Sequence, residues 1–521
     1  MKNKLISFLI TISLLLSFCL TSCYNDNNIK HNAEDGTPPE DNIATQGHVD
    51  KNNDGECDDC QTSVIIELNF FVMNDFHGKM TDSDSQPGIE ELSSYLKDAK
   101  ENNPNTILLS SGDMWQGGAE SNLTKGLIVT DWMNELDFAS MTLGNHEYDW
   151  GEEYIKINSD FAEFPFLAIN VFETSTNQRP SYCQPSTIIE KSGIQIGIIG
   201  AIGDCYSSIS SDKVENVYFK VGNELTELIK EESENLRKQG ADIIVYSLHD
   251  GYDNSKSSGL ITNSNLSSYY NASLSEGGYV DIVFEGHTHQ RYNLEDAYGV
   301  YHLQGGGDNR AITCAEVYYN FANGSTKVKD TDIVYNNIYD DFLQDPLINE
   351  LFRKYENELS SAYELLGKNS KYRSSDDICQ LVADLYYKTA IEKWGKNYKI
   401  ALGGGYLSVR SPYKLTQGNV TYSDLMMLLP FDNQIVLCSI KGKTLRTRFF
   451  ETTNSDYFIS YAAYGESLKN NIDDNATYYI VTDTYSAQYA PNKLTVIDTF
   501  DSTTFARDLL AEYIKSGGLE K

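Results

Sequence analysis

The chain has 521 residues, which exceeds the usual length of one domain and predicts two. Its formal net charge of −34 at pH 7 argues against a nucleic-acid groove, because such grooves need clustered Lys and Arg. The same charge argues against docking on an anionic membrane surface. An anionic substrate is repelled at long range, but salt screens that repulsion beyond about 8 Å. Local cations must therefore attract it.

The N-terminus predicts a targeting segment. Lys2 and Lys4 precede an apolar run over Leu5–Leu16, which is typical of a signal peptide and too short for a comfortable membrane span. The run leads to Leu20-Thr21-Ser22-Cys23, which is similar to a bacterial lipobox. The resemblance implies a lipoprotein signal over 1–22, a lipid on Cys23 and an extracytoplasmic, membrane-anchored protein. The alternative is a plain secreted protein with a chance cysteine.

Residues 23–63 are polar and lack hydrophobic periodicity, which predicts a disordered tether. Within this tether, Asp50, Asn52 and Asp54 match the first ligand positions of an EF-hand-type calcium loop. The twelfth position is Gln61 and not Glu, so the bidentate closing ligand is missing. A calcium-binding tether is one hypothesis, and a plain acidic linker is another.

Cysteines leave further alternatives open. His48, Cys57 and Cys60 are compatible with a transition-metal site or a disulfide staple in the same tether. Farther along, the cysteines are scattered and show no dense disulfide framework. Cys183 and Cys205 form either a bridge or a pair of buried free thiols.

From residue 64 to about 340 the chain alternates short apolar runs with helical patterns, which predicts an α/β layered domain. The long stretch Val221–Gln239 has the spacing of an amphipathic helix, and Gly240 is placed to end it. Val64–Val72, Ile107–Leu109 and Ile282–Phe284 have the length and composition of buried strands.

Polar side chains follow five of the predicted strands. Because sites in open sheets lie beyond the carboxyl ends of strands, we expect these side chains to meet at one rim. Asp and His suit divalent metals, and two metals clamp an in-line phosphoryl displacement. The predicted metal ligands are Asp75, His77, Asp113, Asn145, His249, His287 and His289.

These stretches occur in a recognisable order. The blocks are Asp75-Phe76-His77, Gly112-Asp113, Gly144-Asn145-His146-Glu147, His249-Asp250-Gly251 and Gly286-His287-Thr288-His289. From Ile65 to the C-terminus the chain resembles the calcineurin-like metallophosphoesterases, and within them the bacterial 5′-nucleotidase and UDP-sugar hydrolase family. The resemblance implies an α/β fold with a four-layer β-sandwich flanked by helices. It also implies a smaller α+β C-terminal domain that binds substrate.

The resemblance suggests roles at the rim. Asp113 is expected to bridge two divalent ions, Zn, Mn or similar, roughly 3.5–4 Å apart. The first ion is expected to bind Asp75, His77 and His289, and the second Asn145, His249 and His287. His146 is expected to stabilise the transferring phosphoryl group or to protonate the leaving group, with Asp149 orienting its ring. Asp250, Glu285 and Asp308 are expected to be solvated or to support the ligands.

A charged, helix-favouring stretch over 341–367 predicts a linker helix, and a second domain is predicted over 368–521. The second domain carries a glycine run that includes Gly404 and Gly405, followed by Arg410. Relatives in the family usually have Asn before these glycines and Arg directly after them, whereas here Leu402 precedes them and the Arg comes late. The glycines would let the backbone approach a ligand, and the Arg would pair with phosphate or carboxylate.

The resemblance also implies an aromatic clamp on a nucleobase. Phe431 would form one face of the clamp and Tyr485 the other, with Asn433 beside them. The family then has Gly-Gly-Asp-Gly, which recognises the nucleoside, but this chain has Tyr489-Ala490-Pro491-Asn492. The alternative is that both aromatics belong to the core.

The predicted function is hydrolysis of nucleotides outside the cytoplasm, as in a 5′-nucleotidase, with UDP-sugars or cyclic nucleotides as further substrates. One alternative is a non-nucleotide phospho- or sulfur-ester hydrolase of the same superfamily. Another is a surface binding protein that keeps the fold without turnover. The presence of all seven ligand-type residues favours an enzyme.

Overall fold

The computed structural model describes Lys51 and residues 63–81, 88–252, 270–339, 342–407, 409–410, 414–451, 457–461, 468, 471–488 and 494–520. The predicted signal over 1–22, the lipidation site Cys23 and the calcium-like positions Asp50, Asn52 and Asp54 lie outside these residues. Within them, no helix has both the length and the apolar composition needed to cross a membrane.

The first domain contains fourteen of the described strands. They are β1 (Ile65–Met73), β2 (Thr106–Ser110), β3 (Ser140–Thr142), β4 (Phe166–Leu167), β5 (Val171–Glu173), β6 (Ser186–Lys191), β7 (Ile194–Ile202), β8 (Val217–Phe219), β9 (Ile243–His249), β10 (Ile282–Glu285), β11 (Arg291–Glu295), β12 (Tyr301–Gly305), β13 (Ala311–Asn320) and β14 (Ser325–Tyr335).

Two six-stranded mixed sheets form the centre of this domain. One has the order β14-β13-β1-β2-β3-β4 and the other β11-β12-β10-β9-β7-β6. Strands β1 to β4 run parallel to one another, as do β7, β9, β10 and β12. Antiparallel strands occupy the other positions. β5 and β8 form a separate two-stranded sheet.

Side chains along β1 alternate between the two faces of its sheet, and this alternation explains why the two sheets stack. Leu68, Phe70 and Val72 point into a core shared with β7, β9 and β10 of the other sheet. Phe71 and Met73 point to the opposite face, where helices cover them. This period of two is that of a strand buried on both faces.

The helices of the first domain cover the outer faces of both sheets. Glu90–Asn102 and Leu127–Glu135 pack on the first sheet, and Asn223–Lys238 packs on the second. The order helix, sheet, sheet, helix confirms the predicted four layers. The described helices up to residue 339 are Glu90–Asn102, Ala119–Thr124, Leu127–Glu135, Glu152–Phe161, Asn223–Lys238, Ser273–Glu276 and Asn336–Tyr339, with 3₁₀ turns at His146–Tyr148, Tyr206–Ser208 and Ser211–Lys213.

The prediction of one linker helix over 341–367 is wrong. The chain forms two short helices, Pro346–Lys354 and Glu356–Leu359, and then enters β15 (Leu365–Asn369). Ile348 and Leu351 pack into the core of the first domain, so the helical part is docked there and is not a free spacer. β15 pairs with a strand of the second domain, which ends the helical stretch before residue 365.

The second domain has its own sheet and core. Its other strands are β16 (Ile400–Tyr406), β17 (Gly418–Thr421), β18 (Ile435–Lys441), β19 (Tyr457–Ser460), β20 (Thr477–Asp483) and β21 (Thr495–Thr499). Five of them form a sheet in the order β19-β16-β20-β18-β21. Its described helices are Ser375–Trp394, Tyr422–Leu428, Gly442–Phe449, Thr484–Gln488 and Ala506–Lys515.

Both Cys183 and Cys205 are buried free thiols. The alternative of a bridge between them is therefore wrong. Burial raises the pKa of the Cys183 thiol to about 12 and also raises that of Cys205, so both behave as small apolar groups.

Candidate metal centre

The seven predicted ligands lie where parallel strands of both sheets end. The turn after β1 carries Asp75 and His77, and the turn after β2 carries Asp113. Asn145 follows β3, and His249 is the last residue of β9. His287 and His289 follow β10. Because the two sheets stack with these ends at one edge, the sequence-distant side chains converge.

One group of side chains surrounds Asp75. Its Oδ1 lies 3.2 Å from Nε2 of His289 and 4.0 Å from Nε2 of His77. The two Nε2 atoms are 3.1 Å apart. Asp75 and His77 are fully buried, whereas the His289 side chain is 40% exposed. The group therefore opens to solvent on the side of His289.

A second group surrounds Asn145. Its Oδ1 lies 3.2 Å from Nε2 of His249 and 2.8 Å from Nδ1 of His287. Nε2 of His249 is also 3.2 Å from Oδ2 of Asp113. The Asp113 carboxylate lies within 4.8 Å of ligand atoms in both directions, toward His77 and toward His249 and His287. This position between the groups is the one expected of a bridging carboxylate.

The hydrogen bonds of two histidines test whether the site fits a metal. Nδ1 of His77 lies 3.0 Å from the Gln116 carbonyl oxygen, and Nδ1 of His249 lies 2.7 Å from that of Ser111. A carbonyl only accepts, so each Nδ1 carries a proton and Nε2 is the ring nitrogen left to bind a cation. Both Nε2 atoms face other nitrogen and oxygen ligand atoms. A divalent cation satisfies such an arrangement, so the residues fit the metals that the fold family uses.

Electrostatics supports the same conclusion. Burial opposes a charge on His249, but the Asp113 carboxylate outweighs burial and raises the pKa of His249 to about 10. Burial also opposes ionisation of Asp113, yet His249 and His146 hold its pKa well below the usual range. The Asp113 carboxylate therefore stays ionised and stabilises a positive charge beside it, either a proton on His249 or a metal ion that replaces that proton.

The backbone at the site is strained. Five of the seven predicted ligands have left-handed φ values between 51° and 66°, which are uncommon outside glycine. Strain of this kind persists where surrounding structure enforces it, and it concentrates at functional sites. The five residues are Asp75, His77, Asp113, His287 and His289.

Glu147 holds part of this strained backbone in place. No sequence pattern predicted a role for it. Its Oε2 accepts hydrogen bonds from the backbone N–H groups of Asp113 at 2.9 Å and Gly144 at 2.7 Å. Its Oε1 accepts one from Met114 at 2.8 Å. Burial and the nearby Asp113 raise the pKa of Glu147 to about 7, although the backbone donors oppose the shift. One buried carboxylate thus joins the turns that carry Asp113 and Asn145.

Gln304 holds the turn that carries His287 and His289. Its Nε2 donates to the Gly286 carbonyl at 2.8 Å, and its Oε1 accepts from the Gln290 backbone N–H at 2.8 Å. Gln304 is fully buried and lies on β12, and no sequence signal marked it. Glu285, expected to be solvated or to support the ligands, is buried and accepts from the Tyr292 hydroxyl at 2.7 Å.

His146 and Asp149 lie beside the two ligand groups. His146 Nδ1 is 2.8 Å from Oδ2 of Asp149, and the His146 backbone N–H donates to Oδ1 of Asp113 at 2.8 Å. Burial opposes a charge on His146, but Asp149 and Asp113 outweigh it and raise its pKa. The His146 ring also lies within ligand distance of His77 and Asp113.

A cavity of about 320 Å³ extends from His146 and Asp149 into the second domain. Phe431, Asn433 and Tyr485, which were predicted to bind substrate, all line it. The Phe431 ring lies 5.8 Å from the His146 ring, measured between centroids and tilted by 32°. The predicted aromatic pair therefore shares one cavity with the predicted catalytic pair.

The segment Leu429–Asn433, which we call the Phe431 segment, is held by two residues that no sequence pattern marked, Arg507 and Lys125. Arg507 donates to the Phe431 carbonyl at 3.1 Å and pairs with Asp432. Asp432 also pairs with Lys125 of the first domain at 2.9 Å. Arg507 is distant in sequence from Phe431, and only the packing of helix Ala506–Lys515 brings it there.

Arg410 lies outside the described cavity wall. Its Nη1 donates to Oε1 of Gln116 at 2.6 Å, and the Gln116 backbone carbonyl in turn faces His77. Burial is the largest cause of the low pKa of His77, and the Arg410 charge is the next. Arg410 thus brings positive charge from the second domain to the metal centre.

Gly404 and Gly405 lie inside β16, and protein atoms fill the space beside them. A Cβ on Gly404 would lie 2.1 Å from the Phe458 carbonyl oxygen, and one on Gly405 would lie 2.5 Å from Oγ1 of Thr482. These contacts give the two glycines a packing role, and their predicted approach to a ligand stays a prediction. The close approach that the structure shows is to the neighbouring strands.

We expect Glu147→Ala to weaken metal binding and to destabilise the fold. The change leaves three buried backbone N–H groups without their acceptor, at a cost of about 1–3 kcal/mol each. Metal content after dialysis and the free energy of unfolding of the metal-stripped protein measure the two effects. Glu135→Ala, at an exposed position, is the matched control. Wild-type metal content in a Glu147→Ala protein of unchanged stability would contradict the role.

Two known families match the chain. Residues 68–291 match the family described as calcineurin-like phosphoesterase, and residues 364–493 match the 5′-nucleotidase C-terminal domain. Together they span the metal centre, the Phe431 segment and Tyr485.

Curated relatives and solved structures agree with these matches. The chain is 25% identical to apyrase of Tabanus yao, over 73% of this chain and 72% of that protein. It is 24% identical to protein UshA of Yersinia enterocolitica, over 86% and 91%. A 5′-nucleotidase precursor from Thermus thermophilus has a similar fold, with a TM-score of 0.64 at 18% identity over 87% and 96%. The chain belongs to the calcineurin-like phosphoesterases that carry a 5′-nucleotidase C-terminal domain, and it is a phosphoric ester hydrolase.

Proposed function

We propose that this protein hydrolyses nucleotides at a two-metal centre, outside the cytoplasm, with nucleoside monophosphates as its basic substrates. The observation that carries the proposal is the shared cavity. One end of it has His146 and Asp149, beside the metal ligands, and its wall includes Phe431 and Tyr485. A nucleotide has a phosphate, which would bind beside the metal ligands, and a flat base, which would stack on the aromatic wall. The relatives named apyrase and UshA, and the matched 5′-nucleotidase domain, support this reading.

Asp75, His77 and His289 would hold one divalent ion, Asn145, His249 and His287 the other, and Asp113 both. When bound, such ions neutralise phosphate oxygens and lower the pKa of water. The protein contributes the fixed geometry that the strained turns, Glu147 and Gln304 enforce. It also limits the access of water by burying five of the seven ligand side chains.

His146 acts on the phosphoryl group in this proposal. Asp149 engages its Nδ1 at 2.8 Å, which fixes the ring and leaves Nε2 for the substrate. An N–H at Nε2 then donates to a phosphoryl oxygen or delivers its proton to the leaving oxygen. The pKa of His146 is raised by Asp149 and Asp113 against the effect of burial, which favours the protonated ring that this role needs.

Replacing Asp113 by Asn is expected to abolish turnover and to weaken binding of at least one metal. The change removes one negative charge from the position shared by both groups. Turnover of a nucleotide and metal content by elemental analysis measure the effect. Asp98→Asn, the same chemical change at an exposed position, serves as control. Two full metal equivalents with normal turnover in the Asp113→Asn protein would refute the bridge.

His146→Ala is expected to lower turnover by about 10²–10⁴, the usual worth of a positioned acid–base group. Metal content and the melting temperature should stay at wild-type values, because other residues supply the ligands. Loss of metal together with activity would instead identify His146 as a ligand.

The third expectation separates a nucleotidase from a general phosphoesterase and from a binding protein. Phe431→Ala combined with Tyr485→Ala should raise KM for AMP about tenfold or more, since stacking on an aromatic is worth roughly 1–3 kcal/mol per base. Hydrolysis of a small aryl phosphate should change little, because it lacks a nucleobase. Tyr372→Ala removes an exposed aromatic elsewhere in the second domain and is the matched control.

Equal AMP and aryl phosphate kinetics in the folded double variant and the wild type would reject the nucleotide part of the proposal. A metal-loaded wild type without turnover on any phosphate ester would support the binding-protein alternative.

A further inference from the structure

A loop of the first domain lines part of the cavity. It covers residues 204–213, between β7 and β8, and we call it the 204–213 loop. Its start is anchored at the metal centre, because the Asp204 backbone N–H donates to Oδ2 of Asp250 at 3.1 Å. The Cys205 thiol contacts the His249 carbonyl at 3.4 Å. The start of the loop therefore contacts His249, a predicted metal ligand, and Asp250, the residue after it.

The far end of the loop docks on the second domain. The Ser211 backbone N–H and hydroxyl both donate to Oε1 of Gln488, at 3.1 Å and 3.0 Å. Gln488 ends the helix Thr484–Gln488, whose second residue is Tyr485. The loop and the aromatic side chain are thus connected through one short helix, and they form adjacent parts of the same wall.

Four residues of the loop line the cavity together with Phe431 and Tyr485. These are Ser208, Ser210, Asp212 and Lys213. The first domain therefore contributes to the cavity at two places, at His146 and Asp149 and again at this loop. A ligand that fills the cavity contacts the loop as well as the clamp.

Charges on the rest of the wall are already engaged. Asp149 holds His146. Asp432 pairs with Lys125 and Arg507. Asp483 is buried and accepts hydrogen bonds from the backbone N–H and the hydroxyl of Ser486.

Asp212 and Lys213 differ from these groups. Their side chains are 58% and 34% exposed, and they meet each other in a loose ion pair of 3.7 Å. A solvated pair of this kind contributes little to stability, so it is available for a ligand at small cost.

We propose that Asp212 and Lys213 determine substrate specificity by binding the nucleoside portion of the substrate. This inference rests on the proposed nucleotidase function and assigns the residues that read the nucleoside. A carboxylate accepts from hydroxyl and amino groups, and an ammonium donates to hydroxyl and carbonyl oxygens. Ribose and base edges carry such groups. A further phosphate is the poorer match, because Asp212 would repel it.

Steady-state kinetics of the metal-loaded full chain tests the inference. For Asp212→Ala and Lys213→Ala, KM for AMP should rise about fivefold to tenfold, the value of one or two hydrogen bonds. Turnover at saturation should stay within about twofold, since neither group lies at the reacting phosphate. KM for 4-nitrophenyl phosphate should stay within about twofold as well. The matched control is Glu234→Ala with Lys238→Ala, an exposed ion pair on helix Asn223–Lys238.

Substrate analogues locate the contact. If the effect of Asp212→Ala disappears with 2′-deoxy-AMP, Asp212 binds the ribose hydroxyl. If the effect remains with 2′-deoxy-AMP but differs between AMP and UMP, the residues read the base edge. Either result supports recognition of the nucleoside. Unchanged KM for every nucleotide, or an equal rise for 4-nitrophenyl phosphate, overturns it.

Failure of this inference is distinguishable from failure of the proposed function. A wild type that hydrolyses 4-nitrophenyl phosphate but no nucleotide overturns both. A wild type that hydrolyses nucleotides while both loop variants match it overturns only the role of the loop.

Gln488 provides an independent check as a positioning residue. Gln488→Ala removes the acceptor that holds Ser211, so it should raise KM for AMP without changing 4-nitrophenyl phosphate kinetics. Because Gln488 acts through the loop, adding Asp212→Ala should raise KM no further than Asp212→Ala alone. Fully additive effects would overturn this coupling.

Discussion

The site depends on one electrostatic constraint, the convergence of histidine nitrogens and carboxylates around positions that fit a metal ion. Two histidine rings are fixed by backbone carbonyls so that their Nε2 atoms face other ligand atoms. Left to itself, such an array would relax by moving apart. It does not, because the turns are held in left-handed conformations by buried partners such as Glu147 and Gln304. The two stacked sheets supply the rigid frame for those turns.

The second domain completes what the first leaves open. The candidate metal centre faces a cavity whose wall in the second domain includes the Phe431 segment and the helix that carries Tyr485. An ion pair between Lys125 and Asp432 ties the two domains together at this cavity, and a hydrogen bond from Arg410 to Gln116 ties them together near His77. These contacts also resolve the conflict between a strongly acidic chain and an anionic substrate. Positive charge is local, and it is concentrated where the domains meet.

Corrections to the predictions share one physical cause, which is packing between distant segments. The stretch over 341–367 has helical composition, but its apolar side chains dock on the first domain and its last residues join a sheet strand. The glycines of β16 allow close approach, as their composition indicates, and the atoms beside their Cα positions belong to Phe458 and Thr482 of neighbouring strands. The local sequence indicates that a backbone must lie close to other atoms, or that a stretch favours a helix. It does not indicate which residues that backbone or that stretch will contact.

The sequence by itself determined the layered α/β class and the seven ligand-type side chains at strand ends. It could do so because strand periodicity and polar strand ends are local patterns of a few residues. Only the tertiary structure decided which side chains support them. Glu147, Gln304 and Arg507 act through hydrogen bonds to backbone groups far away in the chain, and the 204–213 loop reaches the cavity only through domain packing. Contacts of this kind have no spacing or composition to mark them, because any residue of the right chemistry at the right place in space would serve.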